Sequence, residues 1–405
     1  MHSLIGCTAN ARNRIHAMHP PDATQRAVAQ PAPSRALKIG LLTFHRCINY
    51  GSYWQARLLI EGLRDMGHHA VLLDYHSPRA NLAEWRCALR PVLPTAVSPA
   101  DRRLYAQKTR KFFEAFEALP RSCRFSLERP QDMEDFDAIV VGSDEVWNFS
   151  HPWYGQSPLF FGDFGDFGDR GARTRKCRLV AYAASFGNYP AHRGLPSRSA
   201  QLLHAFHGLS VRDRNSRDLV AHHLGRRAAL VLDPCLQFAP AARVRTPGCD
   251  VEGERCVAVY GHNFSNWFAT RTRDWARRHG MRLVSVGYRN DWADEQWLTA
   301  GPEDFAHFMS QVGAVATNFF HGCVFSLRNG KPFACEPSPY RSIKINDLLR
   351  TLGAQSHLPG NDTPTRAWDH LMTAPLASSI GARMAAARAS STTYLRGALA
   401  TAAGP

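Results

Sequence analysis

The chain has 405 residues, of which 44% are hydrophobic and 20% are charged. This composition is typical of a globular protein of two or three domains and excludes a disordered or fibrous chain. No stretch reaches the roughly 18 uninterrupted apolar residues of a membrane span, which excludes an integral membrane protein. The formal net charge of +15 predicts anionic partners, either phosphorylated small molecules, nucleic acid or an acidic bilayer surface, without choosing among them.

The cysteine and histidine patterns predict neither disulfides nor metal. The ten cysteines are scattered without a C-x-x-C pair, which fits neither a disulfide framework nor a zinc site and predicts a reducing, cytoplasmic setting. Adjacent histidines at 68–69 and 222–223 point apart, and the chain has no His-Glu-x-x-His motif, so we expect no metal. The loop at 44–52 lacks both G-x-G-x-x-G and the Walker lysine, so we expect no nucleotide cofactor.

The first predicted elements form a βαβ unit. Residues 1–36 show no hydrophobic period and are interpreted as a disordered leader. A strand over 38–44, a helix over 53–66 and a strand over 70–75 follow. Their near-continuous apolar strands are typical of a parallel sheet that helices cover on both faces. Residues 78–130 are basic with a helical pattern, which predicts an insertion beside the sheet.

Strands and helices then continue to alternate along the chain. Further strands are predicted at 138–142, 179–183, 209–213 and 229–234, and, after a linker at 239–254, at 256–260, 283–287, 314–318 and 332–335. We therefore predict an α/β fold with two doubly wound Rossmann-like domains, 37–240 and 253–375, that face each other across a ligand-binding cleft. The Ala-rich residues 376–405 are expected to form a terminal helix that frays.

One histidine lies where an apolar strand ends and a helix begins. Residues 317–322 place His321 in this turn, directly before Gly322. Backbone N–H groups at a helix start favour an anion, and an imidazole is suited to proton transfer near neutral pH. The alternative is a structural histidine that caps the helix, and the sequence position alone does not decide between the two.

Several basic residues are placed to reach the same cleft. Arg212 and Arg214 follow a strand of the first domain, and a guanidinium matches the oxygens of a carboxylate or phosphate. Lys331, Arg341 and Lys344 follow His321 at distances that allow a return to the cleft. The alternative is that these are solvated surface charges, with Asp213 neutralising one arginine.

Two further segments of the first domain are candidates for binding a sugar. Asp144, after the third clear strand, is suited to orienting a hydroxyl, and Trp147 is suited to stacking on a sugar ring. The alternative is a helix cap and a core residue. Ser185 lies in a run of small residues, 182–187, that lets a backbone approach a ligand.

Taken in order, these segments resemble the polysaccharide pyruvyl transferase family over about residues 38–352. The matching motifs are Asn49-Tyr50-Gly51, 142–148, 182–187, 210–213, 232–234, Phe320-His321-Gly322 with 331–333, and 346–349. The resemblance implies two domains arranged as in GT-B glycosyltransferases. It also implies transfer of pyruvate from phosphoenolpyruvate to two hydroxyls of a sugar as a ketal, with release of phosphate.

The resemblance also implies roles for individual residues. His321 corresponds to the proton donor and Arg212 to the arginine that holds phosphoenolpyruvate. The other expected donor contacts are Arg214, Phe320, Gly322, Arg341 and Lys344. The expected contacts to the sugar or lipid-linked glycan acceptor are Asn49, Tyr50, Gly51, Asp144, Trp147 and Ser185. Many relatives carry Asp-Arg-Leu-His-Gly, but this chain has Asn318 and Phe319 in place of the Asp-Arg pair. Arg341 or Lys344 is the expected substitute for the missing arginine.

Two other functions remain open from the sequence. One is a GT-B-like glycosyltransferase that uses a nucleotide sugar, and the other is a non-catalytic polyanion binder driven by the net charge. Nucleic acid is not an expected partner, because the aromatic residues lie within the βα pattern and do not interleave with basic runs. Peripheral contact with the inner membrane, where lipid-linked acceptors would lie, is left open.

Overall fold

The computed structural model describes residues 35–154, 157–164, 177–238 and 255–400. Nearly all of the predicted leader and the linker at 239–254 lie outside these residues. Within the described part of the chain, no helix is both long enough and apolar enough to cross a bilayer.

The N-terminal lobe is built on a parallel sheet. Its strands are β1 (Lys38–Leu42), β2 (His69–Leu72), β3 (Tyr75–His76), β4 (Phe125–Ser126), β5 (Ala138–Val141), β6 (Arg178–Ala181), β7 (Ser210–Val211) and β8 (Ala229–Leu230). The main sheet has the order β2-β1-β5-β6 with every pair parallel. The pairs β3–β4 and β7–β8 are also parallel. Single bridges, such as Ala184 to Val211, continue the main sheet toward β7.

Helices cover this sheet, as the apolar strands predict. They are α1 (Tyr50–Asp65), α2 (Pro78–Leu89), α3 (Pro99–Glu117), α4 (Ser197–His204), α5 (Arg214–Leu224) and α6 (Pro234–Gln237). Asn49 caps α1 by accepting hydrogen bonds from the first-turn N–H groups. Helices α2 and α3 occupy the region predicted as a helical insertion, and Phe112 and Phe116 of α3 are fully buried.

The C-terminal lobe repeats the architecture. Its strands are β9 (Cys256–Tyr260), β10 (Arg282–Val286), β11 (Glu295–Trp297), β12 (Ala314–Thr317) and β13 (Phe333–Cys335), in the all-parallel order β11-β10-β9-β12-β13. Its helices are α7 (Asn266–Arg278), α8 (Pro302–Gln311), α9 (Phe320–Asn329), α10 (Ser342–Leu352), α11 (Thr365–Thr373) and α12 (Ser378–Ala400). Two parallel sheets flanked by helices confirm the predicted α/β fold class with two Rossmann-like halves.

The expected terminal helix is present as α12, continuous from Ser378 to Ala400, and residues 401–405 lie outside the described residues. It packs across the N-terminal lobe, where the Tyr394 hydroxyl donates to the carbonyl of Ala181 at 2.8 Å. The Ser391 hydroxyl accepts from the backbone N–H of Leu232 at 3.0 Å. Leu395 and Leu399 are buried, so the burial of apolar side chains keeps this Ala-rich helix docked.

The two lobes share a continuous interior. One apolar cluster includes Leu41 and Val180 of the first sheet together with Val284 and Val315 of the second. Hydrogen bonds also join the lobes, because the Tyr50 hydroxyl donates to the carbonyl of Ala300 at 2.7 Å. The two lobes are therefore joined both by apolar packing and by a buried hydrogen bond.

Candidate active site

A pocket of about 370 Å³ lies between the lobes. The carboxyl ends of strands from both sheets reach it, which is the expected ligand position in a doubly wound fold. Its titratable wall residues include Glu84, Lys108, Asp144, Glu145, His151, Arg212, His321, Arg341 and Lys344. The wall thus carries carboxylates as well as cations, and the cations without a carboxylate partner are the ones available to an anionic ligand.

His321 is positioned by the start of α9 and by a glycine on the opposite lobe. The imidazole packs against the backbone of Gly51, where a Cβ atom would come within 1.9 Å of its Nδ1. Its Nε2 lies 3.7 Å from Oδ2 of Asp233 and has no hydrogen-bond partner among the described residues. A glycine at position 51 is therefore required for the ring to lie at the pocket wall.

Replacing Gly51 by alanine should displace this ring. We expect Gly51→Ala to lower the free energy of unfolding by about 1–3 kcal/mol, as overpacking commonly does, and to shift the imidazole NMR signals of His321. Gly381→Ala is the matched control, because a methyl group there meets nothing within 4 Å. Unchanged stability and unchanged His321 signals in Gly51→Ala would contradict the contact.

Arg212 lies at the pocket floor between two carboxylates. Its Nη1 donates to Asp233 at 2.9 Å and its Nη2 to Asp144 at 3.1 Å. The guanidinium is 2% exposed, and its carbon lies 4.7 Å from the centre of the Phe320 ring. Burial alone would raise the pKa of Asp233, but His321 and Arg212 outweigh it and hold that pKa well below its usual range. Asp233 thus links the arginine of one lobe to the histidine of the other.

The turn after β5 brings a second carboxylate to the floor. Gly142 has φ of +112°, and a Cβ atom there would come within 2.2 Å of the carbonyl oxygen of Tyr182. This backbone path, which only glycine tolerates, leads to Asp144. The Asp144 carboxylate accepts a hydrogen bond from the Ser52 hydroxyl at 2.7 Å in addition to that from Arg212.

Glu145 and Lys344 form an ion pair that joins the lobes. Burial would raise the pKa of Glu145, but the ammonium of Lys344 and then Arg212 lower it to about 2. Asp347, one turn along α10 from Lys344, accepts hydrogen bonds from the backbone N–H groups of Arg214 and Asn215 at 3.0 and 3.3 Å. Its carboxylate thereby satisfies free donors at the start of α5 from across the cleft.

Arg341 differs from Arg212 and Lys344 in its surroundings. Its guanidinium carbon lies 4.3 Å from the centre of the Phe319 ring, a cation–π distance. It donates to the Ser338 hydroxyl at 3.2 Å and, among the described residues, forms no ion pair with a carboxylate. The Phe319 ring thus supports the Arg341 guanidinium at the pocket wall.

The structure brings only some of the expected contacts to the pocket wall. Among the residues it describes, the wall includes Asn49, Asp144, Arg212, His321, Arg341 and Lys344. Phe320 and Gly322 instead support the wall, because Phe320 lies under the Arg212 guanidinium and Gly322 packs against Thr317. The side chain of Arg214 is outside the wall.

Three expected acceptor contacts face the protein interior instead. Trp147 is fully buried and donates from Nε1 to the carbonyl of Phe160 at 2.8 Å, so it has no free ring face for a sugar. Ser185 donates to Asp213 at 2.6 Å, and the Tyr50 ring stacks on Phe305 at 4.2 Å. These aromatic and polar groups have partners in the core, which is the alternative considered above for Trp147.

Sequence analysis missed Lys108, which projects into the pocket from α3. Its ammonium donates to the carbonyl of Gly287 at 2.8 Å and lies 4.7 Å from the centre of the Tyr288 ring. Burial lowers the pKa of Lys108 to about 7. The available signal was a lysine on the apolar face of a helix, one turn before Phe112.

A cluster beside Arg212 offers three groups of the kind that bind metals. Single ligand atoms of Asp233, Cys235 and His321 lie within 4.8 Å of one another. However, Asp233 already binds the Arg212 guanidinium, and burial raises the pKa of the Cys235 thiol, with Asp233 adding to it. The Asp233 carboxylate of this cluster is thus engaged by a cation of the protein itself.

Comparison with known proteins gives a match to one family model and to several solved structures of low sequence identity. The family model described as Polysaccharide pyruvyl transferase matches residues 49–336, more than half of the chain. No curated protein matches the sequence.

Three solved structures are similar to the chain at low identity. The UDP-GlcNAc 2-epimerase from Neisseria meningitidis bound to UDP-GlcNAc has a TM-score of 0.44 at 10% identity, over 82% of this chain and 88% of that chain. The glycotransferase of kitacinnamycin has a TM-score of 0.44 at 12% identity, over 90% and 98% of the two chains. The glycosyltransferase SnogD from Streptomyces nogalater has a TM-score of 0.41 at 12% identity, over 91% and 100%.

Proposed function

The chain belongs to the polysaccharide pyruvyl transferase family, and we propose that it transfers a pyruvyl group from phosphoenolpyruvate to two hydroxyls of a sugar. The product is a cyclic ketal, and inorganic phosphate is released. The observation that supports this best is the meeting of His321 and Arg212, from opposite lobes, on the single carboxylate of Asp233 at one pocket wall.

The proposed chemistry needs an acid and compensating cations. Protonated His321 donates a proton to the methylene carbon of phosphoenolpyruvate, which leaves a cation at the adjacent carbon. A sugar hydroxyl attacks this carbon and returns a proton to the His321 imidazole. The C–O bond to phosphate then breaks with its electron pair going to the phosphate, and a second hydroxyl attacks the resulting oxocarbenium carbon and gives its proton to the departing phosphate, which closes the ketal. Cations along the wall stabilise the departing phosphate and the carboxylate of the donor.

Arg341 is the best candidate for the anion contact that the Phe319 replacement removes. Arg212 is already balanced by Asp144 and Asp233, and Lys344 is balanced by Glu145. The guanidinium of Arg341 rests on an aromatic ring without an ion-pair partner among the described residues, so its charge is available to a ligand. We therefore assign donor binding to Arg341 before Lys344.

Substituting Arg341 and Lys344 separately should give different defects. Arg341→Met should raise the KM for phosphoenolpyruvate about 10- to 100-fold, as expected for loss of a hydrogen bond to a charged group, with stability close to wild type. Lys344→Met should instead lower the free energy of unfolding by about 3–5 kcal/mol, because it removes the ion-pair partner of the buried Glu145 carboxylate. Steady-state kinetics and urea denaturation measure the two effects.

The pH dependence provides a control for the Lys344 result. The folded-state pKa of Glu145, about 2, is below its usual value of 4.5. The pair therefore stabilises wild type above pH 4.5, and the contribution is lost as pH falls toward 2. The stability difference between wild type and Lys344→Met should therefore shrink on acidification. Equal KM changes in both variants would contradict the assignment to Arg341.

The acceptor is proposed to be a sugar of a polysaccharide or lipid-linked precursor in the cytoplasm. Asn49 and Asp144 remain at the wall as candidate hydroxyl contacts, and Glu84, on α2, faces the same space. All cysteines among the described residues are free thiols, which is compatible with a reducing compartment.

The function is tested by phosphate release from phosphoenolpyruvate in the presence of a panel of glycan acceptors. We expect release to require both substrates and the product to carry one pyruvyl ketal by mass spectrometry. Tight binding of a nucleoside diphosphate, with no turnover of phosphoenolpyruvate on any acceptor, would instead indicate a nucleotide-sugar transferase.

A further inference from the structure

Helix α2 has an exposed apolar surface that the proposed reaction does not use. Among the described residues, the large hydrophobic side chains exposed to solvent are Leu82, Trp85, Val92 and Tyr340. Tyr340 belongs to the pocket wall, whereas the other three lie within eleven residues of one another. Their exposed fractions are 47%, 48% and 83%, so this apolar surface is concentrated in one place.

Arginines surround these apolar side chains. Arg79, Leu82 and Arg86 are three and four residues apart and therefore share one face of α2, next to Trp85. Arg90 follows one turn later, and all three arginines are exposed. None of them forms an ion pair with a described residue, so their charges are available to a partner.

The neighbouring acidic residues do not compensate this charge. Between residues 78 and 107 the acidic residues are Glu84 and Asp101, which are only 9% and 4% exposed. Glu84 faces the pocket and Asp101 binds Arg289. Arg102 and Arg103 add further positive charge at the start of α3. Within residues 78–107, the exposed charged side chains are therefore all cationic.

We propose that the outer face of α2, formed by Arg79, Leu82, Trp85, Arg86 and Arg90, docks the protein on an anionic phospholipid surface. Tryptophan and leucine between arginines are the combination that inserts at the headgroup level of a bilayer while cations bind acidic lipids. An isologous contact with a second copy is disfavoured, because it would place these arginines against one another.

The opposite face of the same helix belongs to the pocket. Glu84, Cys87 and Ala88, spaced three and four residues apart, line the pocket wall. A helix is about 10 Å in diameter, so docking through the outer face holds the pocket about that distance from the lipid headgroups. The docking itself does not depend on which reaction the pocket performs.

Vesicle sedimentation of the full chain tests the proposal. We expect binding to vesicles that contain phosphatidylglycerol and none to phosphatidylcholine alone, with a decrease as salt is raised. The triple variant Arg79→Gln, Arg86→Gln and Arg90→Gln should bind about 100-fold more weakly, since each arginine near an acidic surface contributes about fivefold. Trp85→Gln should weaken binding roughly tenfold through lost apolar insertion.

A charge-matched control separates this surface from the net charge. Arg273→Gln, Arg277→Gln and Arg366→Gln remove three exposed arginines of α7 and α11 and should leave vesicle binding near wild type. The proposal is overturned if wild type does not bind anionic vesicles or if the α2 triple variant binds them as tightly as wild type does. Equal losses in both triple variants, or a dimer in sedimentation velocity that Trp85→Gln dissociates, would overturn it as well.

Discussion

Replacing His321 by glutamine is expected to reduce kcat by about 10²- to 10⁴-fold, the usual contribution of a positioned general acid. Glutamine keeps most of the side-chain volume beside Gly51 but has no proton to give at neutral pH. The donor cations remain in place, so the Kd for phosphoenolpyruvate should change only a few-fold. Phosphate release and calorimetric binding of phosphoenolpyruvate measure the two quantities separately.

His357→Gln is the control for this substitution. His357 is a buried histidine of the same lobe whose Nδ1 pairs with the carbonyl of Phe333 at 2.7 Å, and it lies outside the pocket wall. Its replacement should leave kcat per folded molecule near wild type. If His321→Gln also retained nearly full turnover, the proton would have to come from another group, and Lys108 would be the next candidate.

Replacing Arg212 by methionine is expected to abolish turnover and to lower the free energy of unfolding by about 3–5 kcal/mol. Methionine fills much of the buried volume but leaves Asp144 and Asp233 without the guanidinium that binds both. The desolvated carboxylates then oppose folding. Urea denaturation at neutral pH, followed by circular dichroism, measures the loss.

The pH dependence and a neighbouring arginine provide controls for Arg212→Met. Because the pKa of Asp233 is lowered in the folded protein, its ionised form stabilises wild type at neutral pH. This contribution starts to decrease below about pH 4 and is lost only as the pH approaches the much lower folded-state pKa. The difference between wild type and variant should therefore shrink in acid. Arg214→Met, two residues along and outside the pocket wall, should cost less than about 1 kcal/mol. If Arg212→Met also lowered the free energy of unfolding by less than about 1 kcal/mol at neutral pH, the pairing of Arg212 with Asp144 and Asp233 would be contradicted.

The sequence alone determined where the strands lie along the chain and which candidate active-site residues follow them. Strands such as 38–42 and 314–317 are continuous apolar runs, and burial on both faces of a parallel sheet requires that pattern. The positions of Arg212 and His321 at strand ends were predictable for the same reason, since strand ends are local features. Several short motifs that occur in a fixed order along the chain identified the family.

Only the tertiary structure decided which side chains face the pocket. Trp147 and Lys108 illustrate this. The Trp147 indole, a candidate for stacking on the acceptor sugar, lies in the core, whereas the Lys108 amine, which belongs to the predicted helical insertion, lies at the pocket wall. Two other contacts show the same. Arg341 stacks on Phe319, which belongs to a different element, and Glu145 pairs with Lys344, which is far away in the sequence. Contacts of this kind depend on how helices and lobes pack in three dimensions, and local periodicity carries no information about that packing.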